Sequence, residues 1–266
     1  MGAVIEKTAG SLRGFLREVD RLSKEWDAEF WFRGQGRATD ALLPGLYRYP
    51  RLRGAEGEIR YAFQQQARAL LEREPPRTKW EWYFLMQHHG VPTRLLDWSE
   101  GALLGLHFAL RSNLPGSDAA VWILDPRWLH RQVNPKAKLL PDPDEAENAQ
   151  AGRLLDRYLS GRLYARPRWP SLPIPIRPPH ISPRFTVQRS CFTLHGKEKD
   201  GFATAVRRSR NPRLAKVQIL KNAVPDLVTS LAECGVVEST VFPDLDGLGR
   251  ELRADFTETR IAAQAK

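Results

Sequence analysis

The first apolar pattern in the chain is helical. Apolar residues fall three or four positions apart from Leu12 to Trp26, whereas arginines and Lys24 lie off that stripe. Such spacing places the apolar side chains on one face of an α-helix. Because Ser11 has a side chain that is preferred at helix N-caps, the sequence predicts an amphipathic helix directly after it.

Other segments show either helical or extended patterns. The sequence predicts further helices at 56–74, 80–89, 102–110 and 223–233, and from residue 246 onward. It predicts short strands at 29–33, 119–124, 184–188, 191–195, 214–220 and 236–242. Residues 91–99 are predicted to form a loop between two helices, because Gly90 and Pro92 end the first of them.

Helices and strands do not alternate strictly along the chain. Strict alternation would favour a doubly wound parallel sheet, so this order favours an α+β fold. We expect short strands that form a mixed or split sheet, flanked by about six helices. A chain of 266 residues suits a single domain. The proline-rich stretch 131–183 is predicted to be an insertion or a long connection within that domain.

Composition narrows the classes of function. The net charge of +10 favours a polyanionic partner such as nucleic acid. Two cysteines are too few for the disulfide framework of a small secreted protein or for a zinc site with four cysteine ligands. No apolar run is long enough to span a membrane, and the N-terminus lacks the apolar core of a signal peptide. We therefore expect a cytoplasmic protein with no membrane partner.

An arginine follows the apolar residues of the strand predicted at 29–33. A guanidinium in this position loses water and must find other partners. Arg33 therefore suits a phosphate or carboxylate that is held by two parallel hydrogen bonds. The alternative is a structural ion pair with an internal carboxylate such as Asp97. Gly34, which comes next, allows close approach of a ligand or of another backbone segment.

Polar and ionisable residues are dense at 88–99, around the predicted loop. Loops on a rigid scaffold commonly carry active sites. Thr93, Arg94 and Asp97 are candidates to line a nucleotide pocket, and an Arg94–Asp97 ion pair that pins the loop is the alternative. The two histidines of this segment are adjacent, so on a helix they point about 100° apart. We expect no metal here, because no third ligand follows at the spacing of a metal site.

Two later segments add further candidates. Gln188 ends the strand predicted at 184–188, whose polar face belongs either to a site or to solvent. Glu238 lies near the start of the strand predicted at 236–242 and is a candidate catalytic carboxylate.

Three blocks of the sequence resemble the FRG-domain family, which is named for a Phe-Arg-Gly signature. The blocks are Trp31-Phe32-Arg33-Gly34-Gln35, then His89 to Ser99 with the Ala/Leu-rich helix after it, and finally Thr240 to Leu248. They occur in the family's order, and none of them covers 131–183. The resemblance implies a component of a bacterial toxin–antitoxin or anti-phage defence system.

A further resemblance is to ADP-ribosyltransferases, in which an early strand presents an arginine or histidine that grips NAD. It implies an ADP-ribosyltransferase-like core that uses NAD as a substrate. The implied NAD-binding residues are Arg33, Gly34, Gln35, His89, Thr93, Arg94 and Trp98. The implied catalytic residues are Arg33, Asp97, Gln188 and Glu238, with Gln188 or Glu238 stabilising the positive charge on the ribose as nicotinamide leaves. The chain departs from this pattern because it lacks a Glu-x-Glu or Gln-x-Glu pair, which leaves the catalytic carboxylate unassigned.

These resemblances favour an NAD-dependent ADP-ribosyltransferase-like effector that modifies nucleic acid or protein. An antitoxin or a chaperone is a candidate protein partner for such an effector. Two other functions remain open from the sequence. One is a non-catalytic module that binds nucleic acid or a nucleotide, and the other is a nuclease that needs no metal.

Overall fold

The computed structural model describes residues 2–52, 54–71, 74–136, 140–141, 143, 149–159, 170–178 and 187–264. Its strands are β1 (Ile5–Ala9), β2 (Trp31–Gln35), β3 (Leu95–Ser99), β4 (Ala119–Leu124), β5 (Ile174–Ile176), β6 (Ser190–Leu194) and β7 (Leu214–Ile219). Its helices are α1 (Leu12–Trp26), α2 (Gly45–Arg48), α3 (Glu56–Ala67), α4 (Lys79–His88), α5 (Ala102–Arg111), α6 (Pro126–Val133), α7 (Ala149–Leu159), α8 (Gly201–Arg208), α9 (Val224–Glu233), α10 (Glu238–Val241) and α11 (Leu245–Gln264). Short 3₁₀ turns lie at Pro50–Leu52 and Lys221–Ala223.

The strands of the described residues form one mixed sheet in the order β1-β7-β4-β2-β3-β6-β5. β1 runs parallel to β7, and the other neighbours are antiparallel. The prediction of an α+β fold is confirmed. The helices in this part of the chain exceed the predicted number, partly because α2 and α10 are single turns of four residues.

Several elements form where the sequence predicts them. The hydroxyl of Ser11 accepts a hydrogen bond from the amide of Gly14 at 3.1 Å and so caps α1. Gly90 has a φ of 72° directly after α4, a conformation that glycine adopts without steric cost. Asp244 caps α11 by accepting a hydrogen bond from the amide of Gly247 at 2.7 Å.

Two groups of helices pack on one face of the sheet. Phe32 and Val121 pack in a core with α1, α5 and α9, whereas Leu95 packs in a core with α3, α4 and α7. Phe32 pairs with Ser99, which points to the same side of β3 as Leu95. Both groups of helices therefore cover the same side, one over β2 and one over β3.

The opposite face of the sheet carries a third core. Trp31, Leu96 and Trp98 belong to it, together with Trp128 of α6 and Phe202 of α8. The sheet is thus covered on both sides, which explains why β3 lacks the alternation of a strand with one wet face. None of the helices in the described ranges is long and apolar enough to cross a membrane.

The prediction of a loop over 91–99 is wrong at its second half. Leu95–Ser99 forms β3, which lies inside the sheet and pairs with β6 along its whole length. Pro92 ends α4 but precedes the strand, so it does not interrupt the ladder. The position of this strand makes its residues part of the sheet rather than of a surface loop.

Two predicted strands are also wrong within the described residues. Glu238–Val241 is the short helix α10, because Thr240 accepts a hydrogen bond from the amide of Val237 at 3.0 Å and thereby caps it. Such local hydrogen bonds outweigh the β propensity of a β-branched segment. Gln188 lies in a turn before β6, while 184–186 fall outside the described residues.

Part of the stretch 131–183 belongs to the sheet. The proline-rich run supplies β5, which pairs with β6 at the edge, where Pro175 is tolerated. Helix α7 covers Ala149–Leu159, and much of the remaining stretch lies outside the described residues. The organisation as a single domain with an insertion stays a prediction.

Candidate functional site

Strands β2 and β3 are neighbours that separate soon after they meet. Among the described residues they share the single pair Phe32–Ser99, whereas β2 pairs with β4 along its whole length. From that pair, β2 continues toward Gln35 and β3 extends back toward Leu95, and the two strands pair no further with each other. The sheet is therefore split at its centre.

The side chain of Arg33 bridges the split. Its Nη1 donates a hydrogen bond to the main-chain oxygen of Asp97 at 2.7 Å and lies 3.7 Å from the Oδ2 of the same residue. The Arg33 side chain is only 15% exposed, and its buried Nε has no hydrogen-bond partner within the described part of the chain. Burial lowers the pKa of Arg33 to about 10, against the opposing effect of Asp97. The guanidinium therefore stays charged at neutral pH and retains unused donor capacity.

An open cleft of about 440 Å³ lies above the split, between α4 and α5. This volume falls within the roughly 300–1,000 Å³ of small-molecule sites. Residues from both helices, from the split strands and from the turn before β6 line it, including Arg33, Gln87, His88, Asp97, Phe108, Arg111 and Gln188.

Asp97 presents a carboxylate to the cleft. It is 58% exposed, although the other four residues of β3 are buried. The Nε2 of Gln87 donates to both carboxylate oxygens of Asp97, at 3.0 and 2.9 Å. The hydroxyl of Thr93 donates to the Oε1 of Gln87 at 2.5 Å and so turns the amide nitrogen toward Asp97. Thr93 is buried, so it affects the cleft by orienting Gln87 and not by direct contact.

Arg111 brings a second cation to the cleft wall. Its Nε donates to Glu238 at 2.5 Å, and its guanidinium lies over the ring of Phe242 at 4.7 Å. Glu238 also accepts from Arg250 at 2.7 Å and lies 3.5 Å from His107. Burial alone would raise the pKa of Glu238, but the hydrogen bonds from the two arginines lower it below its usual value. Glu238 thus holds Arg111 in place and is not among the residues that line the cleft.

The predicted ion pair between Arg94 and Asp97 is wrong. Arg94 is fully buried and directs its Nε to Glu56 at 2.7 Å. Its Nη1 donates to the main-chain oxygen of His195 at 2.6 Å, and its Nη2 donates to that of Tyr158. Burial would lower the pKa of Arg94, but the Glu56 carboxylate raises it above the usual value. Arg94 therefore stabilises the core under α4 and does not reach the cleft.

The cleft brings together part of the predicted site. Its lining includes Arg33, Gly34, Asp97, Trp98 and Gln188, whereas Gln35, His89, Thr93, Arg94 and Glu238 are not among its lining residues. The amide of Gln188 donates to the main-chain oxygen of Val241 at 3.1 Å, which ties the cleft wall to α10.

Gln35 and Gly34 have structural surroundings. Gln35 is buried, donates to the main-chain oxygen of Ala41 at 3.1 Å and accepts from the indole of Trp122 at 2.5 Å. A Cβ on Gly34 would clash with the backbone of α5 at Gly105 and Ala109. The glycine after Arg33 therefore allows α5 to pack closely against the strand.

Sequence reasoning did not select several residues that line the cleft, among them two polar residues of α4 and one cation of α5. Gln87 and His88 lie on α4, and Arg111 is the last residue of the apolar helix α5. Basic residues are common at helix C-termini, so the sequence alone does not mark Arg111 as a site residue. Its role becomes visible only from the position of α5 beside the split. No group of three or more histidine, cysteine or acidic residues in the described ranges could hold a metal ion.

Most residues of the cleft come from one continuous segment. Comparison with protein-family models matches this segment, residues 28–118. The match is to the FRG domain. The FRG match begins shortly before β2 and ends directly before β4, and it includes Arg33, Asp97 and Arg111, while Gln188 and Glu238 lie beyond it.

The predicted FRG resemblance is confirmed over the matched residues. The block at 240–248, which contributed to that prediction, lies outside the match. The comparisons give no support to the resemblance to ADP-ribosyltransferases. Neither a curated protein nor a solved structure matches the chain.

Proposed function

We propose that the cleft over the split sheet binds NAD and transfers its ADP-ribosyl group to an acceptor. The observation that carries the proposal is the meeting of Arg33, mostly buried and with a donor unused, and Asp97, a carboxylate exposed on a strand inside the sheet. A buried cation that faces an exposed carboxylate in a concave site is typical of ligand and catalytic sites. An effector role in a toxin or defence system would give this transfer its biological setting.

Two arginines suit the pyrophosphate of NAD. Arg33 keeps its unpartnered Nε after it has bonded to Asp97, and Arg111 uses its Nε on Glu238, which leaves its terminal nitrogens for a ligand. Planar guanidinium groups bind phosphate oxygens through paired hydrogen bonds. Glu238 belongs to this proposal as the residue that positions Arg111.

Asp97 is the carboxylate best placed to act on the ribose. In the transfer, the bond between ribose C1′ and the nicotinamide nitrogen breaks, and its electron pair neutralises the pyridinium ring. A lone pair of the acceptor forms the new bond to C1′, and the acceptor's proton passes to Asp97 or to water. A negative charge at Asp97 stabilises the positive charge that develops on the ribose. Gln188 lines the same cleft and can contribute its amide oxygen.

The proposal predicts that Asp97→Asn loses turnover of NAD. We expect kcat/KM for nicotinamide release to fall by about 10²–10³-fold, because the charge is removed while the shape is kept. Release is measured with DNA, RNA and cell protein as separate acceptors. Asp20→Asn on the exposed face of α1 is the matched control and should keep the wild-type rate. Absence of NAD turnover in folded wild-type protein with all acceptors, or full activity of Asp97→Asn, would refute the transferase proposal.

A second candidate function is a nucleotide-binding module without turnover. The observation in its favour is that Gln87 donates to both carboxylate oxygens of Asp97, as in a site built for rigid recognition. This function predicts that NAD or ADP-ribose binds in the cleft while nicotinamide release stays at the background rate.

A further inference from the structure

A second concave site lies at the end of the sheet, where β4 ends and β7 begins. It has a volume of about 430 Å³, and none of its described lining residues lines the first cleft. Arg127 and Arg131 line it from α6, and Arg213 lines it from the segment before β7. Three arginines therefore converge on a site that the first cleft does not use.

The buried carboxylate of this site already has partners within the protein. Asp125 is 1% exposed, and its Oδ1 accepts from the amide of Trp128 at 2.9 Å. Its Oδ2 accepts from Arg213 at 3.2 Å, and Arg213 also donates to the main-chain oxygen of Trp26 at 2.6 Å. Asp125 and Arg213 thus form a structural pair beneath the site.

Arg127 and Arg131 keep their donors for other partners. They lie one turn apart on α6 and are 53% and 45% exposed. Their nearest carboxylates, on Glu29 and Asp125, lie 3.7 Å away, which is beyond hydrogen-bonding distance. Asp27 also lines the site. Glu29 is shared with Arg177, from which it accepts a hydrogen bond at 3.2 Å. No hydrogen bond among the described residues uses the guanidinium of Arg127 or Arg131, so both can take a ligand.

A second arginine-rich segment lies beside α6. The indole of Trp128 donates to the hydroxyl of Ser209 at 3.1 Å, which joins α6 to the segment 207–213. That segment carries further exposed arginines around Ser209. We call the combined set of exposed arginines the arginine surface, and its members are Arg127, Arg131, Arg207, Arg208 and Arg210.

We propose that the arginine surface binds the phosphodiester backbone of a nucleic acid. Guanidinium groups suit phosphate oxygens, and several of them on adjoining segments suit a repeating polyanion better than a single ion. Trp128 is buried beneath the surface and offers no exposed ring for stacking on bases. Binding should therefore depend on salt and show little sequence preference. This inference does not rest on the proposed transferase, to which the surface would deliver a nucleic-acid acceptor.

The test measures binding of fluorescent single-stranded RNA, single-stranded DNA and duplex DNA to the full chain by anisotropy. We expect Arg127→Gln/Arg131→Gln to weaken binding of at least one of them about tenfold or more at low salt. The slope of log affinity against log salt should also fall by about one to two, since each lost phosphate contact removes nearly one. The matched control is Arg13→Gln/Arg17→Gln, which removes the same charge from two exposed positions one turn apart on α1. This control should change affinity by less than about twofold.

Two results would overturn the inference. Equal losses in the two double variants would mean that only net charge matters, and wild-type protein that binds none of the three nucleic acids would exclude the surface altogether. Circular dichroism verifies that each variant is folded. Because the measurement contains no NAD, failure of the proposed transferase would leave its outcome unchanged.

Discussion

Replacing Arg94 with methionine is expected to lower the free energy of unfolding by about 3–5 kcal/mol, because it leaves the partners of a buried charge unpaired. Glu56 would lose its cation, and the main-chain oxygens of His195 and Tyr158 would lose their donors. These groups come from α3, from the residue directly after β6 and from α7, so one side chain joins three parts of the chain. Methionine fills a similar volume without supplying any of those hydrogen bonds.

Chemical denaturation of three variants tests this role. Arg94→Met and Glu56→Gln are measured singly and together, and the double variant should be more stable than the sum of the single losses predicts, because each loss includes an unpaired partner. A loss below about 1 kcal/mol for Arg94→Met would contradict a structural role for the buried pair. Such a result would reopen the possibility that Arg94 serves a ligand.

Replacing Gly34 with alanine is expected to destabilise the protein by about 3 kcal/mol, because the new methyl group has no space. It would clash with backbone atoms of α5 and would lie 2.7 Å from the carbonyl carbon of Phe108. Backbone cannot swing aside as a flexible side chain can, so β2 and α5 would have to separate. Arg33 and the cleft wall of α5 would move with them, and ligand binding should weaken as well.

The same substitution at Gly249 is the matched control. Gly249 lies within α11, and a Cβ there would have no atom within 4 Å. Gly249→Ala should therefore raise stability by about 0.5–1 kcal/mol, since alanine favours helix more than glycine does. Thermal unfolding of the two variants compares them directly. Equal stability of Gly34→Ala and wild type would show that α5 does not pack closely against β2 at Gly34.

The sequence predicts those elements whose pattern is local. The apolar stripe from Leu12 to Trp26 and the cap at Ser11 are enough for α1, and the apolar run at Ala119–Leu124 is enough for β4. The strand Leu95–Ser99 escapes such reasoning because both of its faces are covered and its central Asp97 resembles a loop residue. Its identity as a strand depends on pairing with β6, which is distant in sequence.

The residues of the candidate site also differ in how far the local sequence predicts their role. Arg33 stands out in the sequence because a cation follows a run of buried apolar residues, and the structure places it at the split. Arg94 stands out because it lies in the dense polar segment 88–99, yet it pairs with Glu56, which nothing in the local sequence connects to it. Nothing in the sequence around Arg111 marks it as a site residue, because its place in the cleft depends on the contact with Glu238 and on the position of α5. Sequence therefore identifies ionisable candidates, whereas tertiary contacts decide which of them face the cleft.

The central claim is that Arg33 binds an anionic ligand in the cleft, and calorimetric titration of the protein with ADP-ribose and NAD tests it most directly. We predict that wild-type protein binds both compounds, and that Arg33→Gln weakens binding by about 10–100-fold, which is the range for loss of a hydrogen bond to a charged group. Arg13→Gln on the exposed face of α1 serves as the control and should bind like wild type. Folded wild-type protein that binds neither compound, or an Arg33→Gln variant with unchanged affinity, would contradict the claim.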